Sequence, residues 1–209
     1  MMVGKPKGSR SKDYDDKRKE LLVRAGRLFL KVPTEKLSLR QIAEGVGVTI
    51  PTLNHYFGGR EGIITAFLEH TWQSAQYHLN EAAQPTGELA DCIRSKLTNV
   101  VDAMLNYELE KLHIFGMTEG LGNKILGPAY LNFFLEPTLQ ACEKWLKYYQ
   151  LDGSVDADVE LRFAAVALYS PLLILLMHQN QLGGSAVREA SIDQFIEQHS
   201  KNFLKYLGK

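Results

Sequence analysis

Apolar residues recur at helical spacing along nearly the whole chain, and no run alternates with the period of two that a half-buried strand shows. The first stripe is Leu21, Leu22, Ala25, Leu28 and Phe29, with Lys17, Arg18, Lys19, Arg24 and Arg27 on the other side. Asp15 or Asp16 is expected to open that helix, and Val32-Pro33 to close it, because the residue before proline avoids helical geometry. The second stripe is Leu39, Ile42, Ala43 and Val46. Ser38 is placed to cap it, and the glycines at 45 and 47 to end it. A third, short helix has Thr49 as its cap and Pro51 in its first turn, where the missing N–H is harmless. Val48, Leu53 and Phe57 face inward, which leaves Thr49, Ile50, Thr52, Asn54, His55 and Tyr56 on or near the outer side.

Gly58-Gly59 forms the next turn, and a longer helix is expected from Arg60 or Glu61 to about Ala83. Beyond Gln84-Pro85-Thr86-Gly87 the pattern predicts helices over 88–107, 108–119, 130–150, 156–181 and 191–207, with Pro137 and Pro171 as bends inside two of them. This is an all-α chain of about nine helices. The expected organisation is a basic arm at 1–13, a three-helix DNA-binding domain at 14–60, and a helical body at 61–209.

A capped helix, a glycine-bearing turn and a short polar second helix make a helix-turn-helix, whose second helix enters the DNA major groove. The run IAEGVGVTIPTLNHYFGGREGII resembles the DNA-binding signature of the tetracycline-repressor (TetR) family of bacterial transcription regulators. The resemblance rests on Ile42-Ala43, Gly47-Val48-Thr49, Thr52-Leu53, His55-Tyr56-Phe57 and Arg60-Glu61. Asn54 and Arg60 stand where the family usually has Tyr and Lys. The resemblance implies a homodimer formed through the last two helices, about 157–181 and 191–207, and a body that binds a small effector. The sequence permits the dimer independently, since the helix around Val159–Met177 is apolar nearly all round and needs cover on several sides. Two copies also suit a palindromic duplex operator.

Charge sharpens this picture. The chain is neutral overall, yet residues 1–60 hold 13 Lys/Arg against 6 Asp/Glu, and residues 61–209 hold 11 against 18. Only the front of the molecule suits phosphate. For DNA the candidates are Thr49, Ile50, Thr52, Asn54, His55 and Tyr56, with Ser38, Arg40 and Arg60 as backbone contacts. Either His55 or Tyr56 could instead pack on the first helix. In the arm, Arg10 and Lys12 are the candidate contacts, against the alternative that the arm only aids solubility. For a largely apolar effector the candidates are Trp72, His113, Met117, Phe134 and Tyr169, each with plain core packing as its alternative.

Other chemistry has little footing. Cys92 and Cys142 are far apart without metal spacing, so buried free thiols are expected. Glu110-x-x-His113 has di-iron spacing, but in a single copy. No catalytic, metal or cofactor site is expected. A signal peptide is not visible, and the apolar run Phe163–Met177 is shorter than a membrane span, so the expected location is the cytoplasm, with no membrane partner. Two alternatives stand beside the regulator: a helical enzyme for small molecules that carries a DNA module, and an architectural DNA binder with no ligand.

Overall fold

The computed structural model describes residues 12–32 and 35–208. The basic arm up to residue 11, Arg10 included, and the helix-closing Pro33 lie outside the described residues. Every regular element among them is helical: α1 (Lys12–Lys31), α2 (Leu39–Val46), α3 (Ile50–Phe57), α4 (Arg60–Ser74), α5 (Gln76–Ala82), α6 (Leu89–Asn106), α7 (Leu109–Gly120), α8 (Leu126–Tyr130), a π-helical turn (Leu131–Leu135), α9 (Glu136–Leu151), α10 (Leu161–Asn180), α11 (Gly184–Val187) and α12 (Ile192–Tyr206).

Three of these depart from the sequence pattern. The rod expected from Arg60 to Ala83 breaks at Ala75 into α4 and α5, with neither glycine nor proline to mark the break. The helix expected over 130–150 is α8, the π turn and α9 in unbroken series, and Pro137 lies inside that run just after the π turn, where its missing N–H interrupts the regular ladder. The single turn α11 occupies the expected turn after Gln181. Pro171 does lie inside α10, as expected.

The chain forms two compact units. The first runs through Thr71 and takes in Ile114–Tyr130; the second is Trp72–His113 with Leu131 onward. In the first unit Leu21, Ala25, Phe29, Ile42, Val46, Leu53, Ile63 and Ile64 are almost wholly buried. Phe115, from the far end of α7, stacks on Phe29 at 4.8 Å between ring centroids and meets Phe67 edge-on at 5.7 Å. Such a contact joins segments some ninety residues apart (29 and 115), which no local periodicity signals.

Gly47 takes the left-handed conformation (φ 75°) that ends α2, and its N–H returns to Ala43 and Glu44. The helix runs through Gly45 to reach it. Gly62 matters for space: a Cβ built there falls on the carbonyl oxygen of Phe57, the last residue of α3. Gly62→Ala therefore forces α3 and α4 apart. Thermal denaturation should show it destabilised by about 2–4 kcal/mol, in the range of core overpacking and backbone shifts.

In the second unit α6, α9, α10 and α12 enclose one core, with Ile93, Leu97, Trp145, Leu146, Ala165, Leu168, Leu172 and Phe203 buried together. Cys92 and Cys142 are buried free thiols within it. The helix α10 extends past the 163–177 run at both ends. At 20 residues and mean hydropathy 1.7 it is long and apolar enough to cross a membrane by length and composition, contrary to the sequence expectation. One face, Ala164, Ala165, Leu168, Leu172 and Leu176, is buried in the core. Phe163, Val166 and Ile174 stay exposed at 68%, 38% and 64%.

Candidate nucleic-acid interface

The candidate recognition helix, α3, is built from its cap inward. Thr49 Oγ1 accepts from the Thr52 N–H at 3.3 Å and lies 2.9 Å from the Thr52 hydroxyl, so each threonine fixes the other. Ahead of it, Ser38 and Gln41 form a reciprocal capping box on α2: the Ser38 hydroxyl accepts from the Gln41 N–H, and the Gln41 carbonyl accepts from the Ser38 N–H at 2.9 Å. Leu53 and Phe57 anchor the inner side of α3 in the core. With its side chains an α-helix is about 10–12 Å across, which matches the width of a B-DNA major groove, about 12 Å.

The outer side carries the candidate contacts. Thr49, Ile50, Asn54 and His55 are exposed, and Thr52 and Tyr56 are half-buried. Tyr14, from α1, lies over the end of this face. Its ring sits 4.7 Å from that of Tyr56 and 5.5 Å from that of His55, and its hydroxyl donates to the His55 carbonyl at 3.4 Å. Tyr56 therefore packs against the first helix, while His55 keeps an open edge. Tyr14 is a positioning residue that sequence reasoning misses. The available signal was one aromatic residue among the charged residues that begin α1.

Ser38 is exposed with its hydroxyl committed to the cap, and Arg40 is exposed and paired with Glu44 at 2.8 Å. Arg60 differs from its sequence reading as a phosphate contact. Its guanidinium turns inward, donating from Nη2 to both oxygens of Glu119 at 2.6 and 2.8 Å and from Nε to the Leu37 carbonyl at 2.6 Å. Glu119 is 2% exposed, and the Arg60 side chain 20%. One cation thus ties the end of α7, the start of α4 and the segment leading into α2. Nothing in the periodicity around Glu119 announces that pair.

The effector candidates divide between the two units. Met117 belongs to the first unit; Trp72, His113, Phe134 and Tyr169 belong to the second. His113 and Phe134 are buried and meet edge to face at 6.2 Å. Tyr169 is half-buried against the core, and burial pushes its phenol up. Trp72 is half-buried beside Phe133 at 5.7 Å. Glu110 is buried and accepts from Asn180 at 3.3 Å. Among the described residues no three His, Cys, Asp or Glu side chains gather as metal ligands.

Burial holds His113 neutral, lowering it from 6.5 to about 4. The unfolded chain takes up this proton near pH 6.5 and the folded chain only near pH 4. The stability present above pH 6.5 is therefore lost as pH falls toward 4, by about 3 kcal/mol at most. Urea unfolding at pH 7 and pH 4.5 should show the wild type losing about 2 kcal/mol more than His113→Gln over that interval. Equal losses would contradict a neutral buried imidazole.

Residues 21–67 match the family described as bacterial regulatory proteins, tetR family. Solved structures share the fold across nearly the whole chain. A putative TetR-family transcriptional regulator from Mesorhizobium loti superposes with TM-score 0.71 at 16% identity, over 94% of this chain and 97% of that one. Salmonella enterica GusR gives 0.65 at 19%, over 91% and 96%. Bacillus subtilis FadR, solved in complex with stearoyl-CoA, gives 0.64 at 12%, over 89% and 97%. None of the curated proteins compared matches this chain.

Proposed function

We propose that residues 21–67, which match the tetR family of bacterial regulatory proteins, form a DNA-binding domain, and that this chain is a homodimeric transcription regulator that holds a duplex operator and releases it on binding a small effector. The observation that carries the reading is the outer face of α3. Thr49, Ile50, Asn54 and His55 are exposed on a rigidly capped helix, in the basic third of the chain. In this reading Asn54 offers its carboxamide to a base edge, Thr52 meets a thymine methyl or an acceptor, and Ser38 and Arg40 sit at phosphates. The operator is a palindrome, because two copies carry two recognition helices.

The dimer forms through α10 and α12. The exposed apolar stripe Phe163, Val166 and Ile174 supports this, since a second copy would cover it. The chain passes between the two units three times, within α4, within α7 and from α8 into the π turn, so an effector held in the body has three covalent routes to the DNA-binding unit. Its influence is a coupling free energy, typically about 1–3 kcal/mol. That Bacillus subtilis FadR was solved with stearoyl-CoA supports an effector role for the body, though not the identity of the effector. Such a regulator works in the cytoplasm, where the chromosome lies.

Thr52→Ala with Asn54→Ala tests the assignment. A gel-shift titration against the operator should show affinity lowered about tenfold or more, with the mass in solution unchanged. Undiminished binding would remove α3 from the interface.

A further inference from the structure

The second unit carries an open groove of about 510 Å³ between α4–α5 on one side and the π turn with α9 on the other. That volume suits a small molecule. Its walls are polar. Asn80 is exposed on one side, and Asn132, Gln140 and Lys144 on the other, with no partner for their side-chain groups among the described residues. Glu136 also lines the groove, but its carboxylate is held by Arg162 at 2.6 Å. Lys144 is thus the uncompensated charge among the lining residues. Trp72 flanks the groove, and Leu79, Pro137 and Ala141 give it apolar surface.

Carboxamides both donate and accept, and so do hydroxyls. Three unengaged carboxamides around one groove match a ring of hydroxyl groups, while an indole suits the C–H face of such a ring. An apolar effector would instead have to part His113 from Phe134, or Tyr169 from the core. We propose that this groove is the effector site and that it takes a polyhydroxylated ring compound of the sugar class. The proposal rests on the effector-responsive reading above. Lys144 decides between neutral and acidic members of the class, since an ammonium adds most to a carboxylate.

Calorimetry of the full chain, without DNA, against hexoses, pentoses and the corresponding uronic acids tests it. At least one sugar should bind. Asn132→Ala with Gln140→Ala should weaken it about tenfold or more while leaving sugar-free operator affinity unchanged. Lys144→Met should weaken a uronic acid about tenfold and leave a neutral sugar unaffected. No binding across the panel, or binding that the carboxamide variant leaves intact, overturns the proposal. A chain that binds sugar but no operator instead refutes the regulator reading and leaves the groove standing.

Discussion

Replacing Glu119 by alanine should destabilise the first unit by about 3 kcal/mol or more, the cost of leaving a buried charge without its partner. Glu119 is 2% exposed and takes both of its short hydrogen bonds from Arg60, whose side chain is only 20% exposed. Without the carboxylate the guanidinium keeps the Leu37 carbonyl and little else. Replacing both partners should cost less than removing Glu119 alone, because Arg60→Met takes away the orphaned charge along with its need. Thermal denaturation of Glu119→Ala, Arg60→Met and the double variant measures this directly. Destabilisation that simply adds across the two variants would deny the coupling. Operator affinity should fall with Glu119→Ala too, since the lost pair no longer ties the end of α7 to the start of α4 beside the helix-turn-helix.

Introducing charge at the exposed stripe of α10 should have the largest effect on DNA binding. Phe163 and Ile174 are 68% and 64% exposed, eleven residues apart on one side of the helix, while the opposite side fills the core. Phe163→Glu with Ile174→Glu removes little from the folded chain itself. It places two carboxylates where a second copy would desolvate them, which an apolar interface does not tolerate. Analytical ultracentrifugation should show the wild type as two chains and the variant as one. Operator affinity should drop about 100-fold or more, because linked recognition helices bind with an effective concentration that single ones lack. A wild type that sediments as one chain, or a variant that remains two, would refute the assigned dimer face.

The sequence made the helix-turn-helix legible because its determinants are local. Ser38, Gly47, Thr49, Pro51 and Gly58 each act within a few residues, and all occupy the positions that their chemistry requires. The inward set Ile42, Val46, Leu53 and Phe57 followed from period alone. What stayed hidden depends on chain-distant partners. Arg60 read as a surface cation because Glu119 lies 59 residues on. Tyr56 read as a candidate for DNA, and Tyr14, 42 residues earlier, covers its ring. The break at Ala75 has no residue of its own to announce it, and the π turn just before Pro137 leaves no mark in the apolar pattern. The polar groove was missed for a related reason. Asn80 lies 52 residues before Asn132 in the chain, and only packing sets these residues and Gln140 around one space.

The central claim is that two copies of α3 read one duplex. Selection of tight-binding sequences from a randomised pool of duplex DNA, with affinity then followed against salt, tests it most directly. An inverted repeat whose half-sites lie about one helical turn apart should be enriched. Affinity should also fall by roughly a thousandfold or more between 50 and 200 mM salt, as phosphate neutralisation by two basic units requires. A pool that yields no common sequence, or binding indifferent to salt, would contradict it.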